Sequence, residues 1–326
     1  MTTTFISVLI ITYNQDKYIK QAINSVLSQE INANIEIFIG DDASTDSTGS
    51  ILSQYKSKFP NKFKIISRTQ NIGPTSNLCS LIKECNGEYI AILEGDDYWT
   101  DPYKLSKQLA FLNNENEKYI ACTHRYKIVD QNDNLIEREY FGPGRPENGP
   151  YTLEQFQNYI YFGLISTLLI KNIFKKDKSK LDVIENTHRF VGDISLNLVL
   201  SLNGRINVLD LNMAAHRIIV EKDGENYKST IAKKNQIYDR AVYLKKLEFY
   251  ALEKYGINIR HADISNSNLA WSLVYFLRSP TYHNLTVLLY TYRQLSSKLS
   301  ALIYLVCNIN KLWWYLKRYI SRNIIR

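Results

Sequence analysis

Three short apolar runs, each followed at once by acidic, amide or hydroxyl side chains, constrain this chain more than any other feature. They are Phe5 to Ile11 before Thr12-Tyr13-Asn14, Ile35 to Ile39 before Gly40-Asp41-Asp42-Ala43-Ser44-Thr45-Asp46, and Tyr89 to Leu93 before Glu94-Gly95-Asp96-Asp97-Tyr98-Trp99. Runs of this length and composition predict buried strands, and 63 to 66 predicts a fourth. Between them Tyr18, Ile19, Ala22, Ile23, Val26 and Leu27 recur at three and four residue spacing, and helices are expected near 46 to 59 and 75 to 85. Strands alternating with helices define an α/β fold around a mostly parallel sheet. Such sheets bind ligands beyond the carboxyl ends of their strands, so the three polar strand ends are expected to converge on one site.

Further along, Thr100-Asp101-Pro102 predicts a helix start, with a capping side chain and a proline in the first turn, for a helix through Leu105, Leu109 and Leu112. Residues 119 to 130 read as one or two strands, 140 to 151 as a loop or boundary, and Leu164 to Ile170 as a buried strand. Asp193 opens a helix to Leu202 that Gly204 is expected to end. The polar stretch 220 to 235 reads as a loop, and the last 70 residues, with Pro280 as their only proline, should be mainly helical.

The 326 residues, 45% of them apolar, suffice for one large domain or two ordinary ones. Cys79, Cys85, Cys122 and Cys307 form no C-x-x-C pair and no zinc or disulfide spacing, which fits buried thiols in a reducing cytosol. The start of the chain carries no basic segment and cleavage site of a secretory signal. Leu299 to Ile309 reaches about half of the roughly 20 residues that span a bilayer.

The chain has 40 basic and 32 acidic residues, a net charge of +8. Arg278, Arg293, Lys298, Lys311, Lys317, Arg318, Arg322 and Arg326 follow Asp263 with no acid among them, so this tail carries the whole excess. On a helical wheel Lys311, Arg318, Arg322 and Arg326 share one face, opposite Leu312, Trp313, Leu316, Tyr319, Ile320 and Ile324. That pattern predicts a helix lying at a membrane surface, with packing on the body or a homodimer as the alternatives. Nucleic acid is not an expected partner, because the basic residues are confined to the tail without a recognition motif.

Neither G-x-G-x-x-G nor G-x-x-x-x-G-K-S/T occurs, which excludes the usual dinucleotide and P-loop phosphate cradles. A nucleotide held through its base, ribose and a metal-bridged diphosphate remains open. Hard carboxylate oxygens at strand ends suit Mg²⁺ or Mn²⁺ beside such a diphosphate.

Five motifs in register extend this reading. Ser7 to Asn14, Asp41 to Asp46, Asn71-Ile72-Gly73, Glu94 to Trp99 with Asp101-Pro102-Tyr103-Lys104-Leu105, and Gly192-Asp193 resemble, over roughly residues 5 to 215, the inverting glycosyltransferases of family 2, which have the GT-A fold. The resemblance implies a GT-A domain over 1 to 225, with a nucleotide-sugar half at 1 to 113 and an acceptor half at 114 to 225, followed by a helical region at 226 to 326. It implies that Tyr13 stacks on the base while Thr12 and Asn14 hydrogen-bond, that Asp42 beside Asp41 accepts from the base, and that the loop Arg68 to Gly73, with Asn71, lies along the nucleotide. Asp96 would touch ribose or metal, Asp97 would ligate Mn²⁺ or Mg²⁺, and Asp193 would be the catalytic base.

The family's Tyr-Arg-x-His pattern is broken, since the chain reads Ala215-His216-Arg217-Ile218-Ile219 and the expected histidine falls on Ile219. His216 is then the candidate substitute in the metal shell. The implied activity is transfer of a hexose or N-acetylhexosamine from a nucleotide sugar, such as a UDP-sugar, to a lipid-linked saccharide during surface polysaccharide assembly, at the inner face of the plasma membrane. A non-catalytic nucleotide-sugar binder of the same fold and a sugar nucleotidyltransferase are the rival readings.

Overall fold

The computed structural model describes residues 4–114, 118–136, 147–157, 160–219, 236–259, 269–270, 272–273, 276–277 and 281–293. The polar stretch 220 to 235, most of the 140 to 151 segment, Cys307 and the basic aromatic tail beyond Arg293 lie outside the described residues. The chain divides into two compact units, residues 1–224 and 225–326.

The first unit opens with β1 (Phe5–Thr12), α1 (Ile19–Leu27), β2 (Asn34–Asp41), α2 (Thr48–Lys58), β3 (Phe63–Ser67), α3 (Pro74–Glu84) and β4 (Tyr89–Glu94). These four strands are parallel, in the order β3-β2-β1-β4, with Ile6 opposite both Ile35 and Tyr89. Because β1 is flanked on both sides and covered on both faces, its apolar run has to be nearly unbroken. The exception is Ser7, whose Oγ donates to Glu36 Oε1 at 2.6 Å and accepts the Gly87 N–H at 2.8 Å. The α1 stripe Ile19, Ala22, Ile23 and Val26 packs into this core as its spacing predicts.

The chain then forms β5 (Tyr98–Trp99), α4 (Lys104–Asn114), β6 (Tyr119–Val129), β7 (Gly149–Tyr151), α5 (Leu153–Gln157), β8 (Leu169–Lys171), α6 (Lys180–Thr187), α7 (Gly192–Asn203) and β9 (Arg205–Arg217). Among the described residues these strands complete one mixed sheet, ordered β3-β2-β1-β4-β8-β6-β9-β5, with β7 beside β9. β8 runs antiparallel between β4 and β6, while β6 and β9 are parallel.

Three expectations need correction. The segment read as loop to Tyr151 ends in β7, where Tyr151 pairs with Ile206, so ladder pairing overrides a glycine and a proline. Leu164 to Ile170 is not one strand; Ile165–Thr167 is a 3₁₀ turn, and pairing begins at Leu169. The helix expected from Thr100-Asp101-Pro102 starts at Lys104, and the Asp101 Oδ1 accepts the Tyr103 N–H at 2.8 Å ahead of it.

Gly204 does follow α7, where a Cβ would lie 2.6 Å from Ile120 Cγ2. Cys79, Cys85 and Cys122 are buried free thiols, and burial pushes Cys79 and Cys122 up to about 12.

In the second unit the described helices span Gln236–Tyr255 and Tyr282–Arg293. Tyr243, Leu244, Leu247 and Ala251 form the buried face of the former. Among the described residues no helix is long and apolar enough to cross a membrane.

Candidate active site

The loops after β1 and β2 are knitted into one surface. Asn14 adopts a left-handed φ of 51°, a conformation that asparagine tolerates better than most residues. Its Oδ1 accepts the Thr45 N–H at 2.8 Å, and its own N–H donates to Ser44 Oγ at 2.9 Å. The Asp42 N–H donates to the Thr12 carbonyl, the Asp16 N–H to Asp46 Oδ2, and Asp41 Oδ1 accepts the Ser44 N–H at 3.1 Å. Thr12 Oγ1 donates to Gln15 Oε1 at 2.8 Å. Tyr13 is left 40% exposed at the rim, a flat ring open to a ligand.

Asp42 is buried, and its two oxygens accept the Ile72 and Gly73 N–H groups, both at 2.8 Å. Its visible work is therefore to hold the loop between β3 and α3. Arg68 reaches α3, donating from Nε to Asn77 Oδ1 at 3.3 Å and from Nη2 to Ser80 Oγ. Asn71 is grasped by Arg189, whose Nη2 donates to its carbonyl at 2.9 Å and to its Oδ1 at 2.6 Å.

The acidic segment after β4 divides into two kinds of carboxylate. Asp97 is buried and saturated: Oδ1 accepts from His216 Nδ1 and from the Arg217 N–H, both at 3.0 Å, and Oδ2 accepts from Ser166 Oγ at 2.7 Å. Glu94 and Asp96 make no such bonds with other side chains among the described residues. Burial and the neighbouring Asp97 and Asp96 charges push Glu94 well above the usual carboxylate range, with Asp193 adding to the effect. Burial and the Asp97 charge raise Asp96 to about 6. The His216 charge lowers both and the Arg217 charge lowers Asp96, but burial and mutual repulsion outweigh them, and hard carboxylate oxygens of this kind are the donors a divalent metal takes.

His216 lies edge-on to Tyr126 with ring centroids 6.0 Å apart. Burial favours its neutral ring, but the Asp97 charge and hydrogen bond, with Glu94 and Asp96 beyond, hold it up to about 9. Arg217 is the buried tie of the site. Its Nε donates to the Asp96 carbonyl at 3.0 Å, Nη1 to the Asp130 carbonyl at 3.0 Å, and Nη2 to Gln21 Oε1 at 2.7 Å and Asp133 Oδ1 at 2.8 Å. The guanidinium also stacks 4.4 Å from the Tyr18 ring centroid.

Asp193 stands in the first turn of α7. Its side chain reaches solvent, yet protein surrounds it closely enough for desolvation to raise its pKa above the usual carboxylate value. Its charge also acts weakly on Glu94. A raised carboxyl beside a helix N-terminus, near unpaired acids at a sheet edge, is equipped to take up a proton.

The fold thus brings Asp96, Asp97 and His216 together, and joins Thr12, Asn14, Asp41, Asp42 and the Asn71 to Gly73 loop, while Asp193 stands in the first turn of α7. Glu94 and Arg217 stand within the sequence motifs without an assigned role, and Ser166 and Arg189 are the site residues that the sequence did not single out. For Glu94 the signal was available, since it ends the same apolar run as Asp96. Arg217 aligns with the arginine of the family's Tyr-Arg-x-His pattern, whereas the contacts of Ser166 and Arg189 are long-range. Among the described residues no three His, Cys, Asp or Glu side chains are grouped so as to hold a metal ion by themselves.

This sheet, with an acidic site beyond its parallel strands, is the architecture of the GT-A glycosyltransferases. The family model for glycosyl transferase family 2 matches residues 7–173, and the chain belongs to that family.

An uncharacterized glycosyltransferase of Nostoc is 30% identical over 214 residues, covering 65% of this chain and 64% of that protein. An uncharacterized protein of Mycobacterium tuberculosis is 41% identical over 123 residues, 38% of this chain and 35% of its own length. The match thus spans about a third of the mycobacterial relative. The crystal structure of Staphylococcus aureus TarS 1-349 in complex with UDP-GlcNAc superposes with a TM-score of 0.62 at 21% identity, over 89% of this chain and 79% of that one.

Proposed function

We propose that this chain transfers a hexose or N-acetylhexosamine from a UDP-sugar to a saccharide acceptor, with inversion at the anomeric carbon, in assembly of a surface polysaccharide. The observation that carries the reading is the placement of Glu94 and Asp96, without side-chain partners among the described residues, at the end of a parallel strand of the sheet, with Asp193 at the start of α7. Likeness to TarS, a poly(ribitol-phosphate) beta-N-acetylglucosaminyltransferase whose structure holds UDP-GlcNAc, supports the choice of donor class.

In this reading the Tyr13 ring stacks on the base, and the loop held by Asp42 lies along the nucleotide. Glu94 and Asp96 would hold Mn²⁺ or Mg²⁺, with Asp97 and its donors Ser166, His216 and the Arg217 N–H fixing the segment that carries them. The bound cation would neutralise charge growing on the diphosphate. Asp193 takes the proton from the acceptor hydroxyl as its oxygen bonds to the anomeric carbon. The bond to the diphosphate breaks on the opposite face, and the electron pair leaves with the nucleotide.

The test is calorimetric binding of UDP, GDP and TDP with and without Mn²⁺, followed by UDP release from UDP-sugars with saccharide acceptors. Metal-dependent UDP binding is expected. Asp193→Asn should keep that binding and lose transfer by about 10² to 10⁴ fold, the usual contribution of a positioned base. A folded chain that binds no nucleoside diphosphate would refute the reading.

A further inference from the structure

We infer that Arg189 is a positioning residue that latches the nucleotide loop to the segment leading into Asp193, so that donor binding depends on this second grip on the loop. The inference rests on the donor reading above, and deepens it.

Arg189 precedes Asp193 by four positions, outside the stretch that matches the family model. Its Nη2 donates to both oxygens of Asn71, at 2.9 Å to the carbonyl and 2.6 Å to Oδ1. Its own carbonyl accepts the Thr75 N–H at 3.3 Å, beyond the loop. Its stem passes over Gly73, where a Cβ would come 2.5 Å from Arg189 Cγ. Three residues later Gly192 meets Thr75, whose side chain would stand 2.9 Å from an added Cβ. Two glycines and two hydrogen-bonding groups therefore bring 71 to 75 and 189 to 192 into direct contact.

The loop is held on its other side by Asp42 through the Ile72 and Gly73 N–H groups. One grip comes from the end of β2 and the other from the approach to α7. Without Arg189 the loop keeps the first and loses the second. Because the side chain is exposed, its removal opens no buried cavity, and it can be tested without dismantling the core.

While Nη2 serves both Asn71 oxygens, the Arg189 Cζ lies 5.3 Å from the Phe190 ring centroid, a planar, weakly hydrated contact that a lysine ammonium does not reproduce. Lysine at this position would retain charge but not that geometry.

The experiment measures donor KM, acceptor KM, kcat and UDP affinity for the full chain and for Arg189→Ala, Arg189→Lys, Asn71→Ala and the Arg189→Ala/Asn71→Ala pair. Arg189→Ala should raise donor KM and UDP Kd together by about tenfold, the scale of charge-assisted bonds at an exposed site, with acceptor KM unchanged. Arg189→Lys should recover part of the loss, and the pair should be no worse than the more affected single variant. A residue that only supports folding would instead lower active fraction and kcat at constant donor KM, and that result overturns the latch. Full additivity of the two alanine variants overturns it as well. If the unmodified chain binds no UDP, the donor reading itself fails, whereas normal UDP binding with an indifferent Arg189→Ala condemns only the latch.

Discussion

Replacing Lys104 with methionine is expected to stabilise the fold, most strongly at and below neutral pH. Lys104 opens α4 and is completely buried, with Nζ 4.0 Å from the centroid of the Trp99 ring and no hydrogen-bond acceptor among the described residues. Burial brings the ammonium down from 10.5 to about 7. That displacement corresponds to about 5 kcal/mol against the charged form, at roughly 1.4 kcal/mol for each unit. Attraction to the Trp99 face offsets about 1 to 2 kcal/mol, leaving a cost of about 3 kcal/mol.

The unfolded side chain stays protonated up to about pH 10.5, the folded one only below about 7. Between these values unfolding takes up a proton, so wild-type stability from this group rises with pH. Methionine has similar length and no charge, and lacks the dependence. Urea denaturation at pH 6 should therefore show Lys104→Met more stable by about 3 kcal/mol, and the gap should shrink to about 1.4 kcal/mol by pH 9.5 as the unfolded ammonium approaches its own pKa. A variant less stable than wild type at pH 6, or a difference that does not move with pH, would refute the reasoning. Either result would mean that the ammonium has a buried acceptor, such as a water shared with the unpaired Gln108 Oε1 one turn away.

Two further substitutions probe the site's supports. Arg217→Lys should cost about 2 to 3 kcal/mol in urea denaturation, because one ammonium cannot serve the Asp96 and Asp130 carbonyls, Gln21 and Asp133 at once; a loss under about 0.5 kcal/mol would contradict the assigned role. Gly73→Ala places a Cβ against Arg189 Cγ at a φ of 92°, so thermal denaturation should register about 1 to 3 kcal/mol of strain or calorimetry a weaker UDP affinity, and unchanged values in both would contradict it.

The strands β1, β2 and β4 and the helices α1, α2, α3 and α7 were legible because their signals are local. Apolar runs covered on both faces read as strands, and apolar residues three and four apart read as helices. β9 was not, although it is the longest strand of the site. Its pairing with β6 shifts register between His124 and Tyr126, and Leu209 to Asn212 lose the alternation that would mark a strand. β7 was hidden by Gly149 and Pro150, which local propensity assigns to loops and which β9 recruits by pairing.

The sequence by itself determined the α/β class, the polar strand ends, the motif order and the helix that begins at Asp193. It could not assign work to carboxylates that look alike. Asp42 and Asp97 differ from Glu94 and Asp96 through their donors: backbone amides 30 and 31 residues away for Asp42, and His216 and Arg217 at 119 and 120 for Asp97. Hydrogen-bond partners at such distances are set by where the sheet returns the chain. Only the tertiary structure therefore decided which acids accept such long-range bonds, Asp42 and Asp97, and which make none with other side chains among the described residues, Glu94 and Asp96.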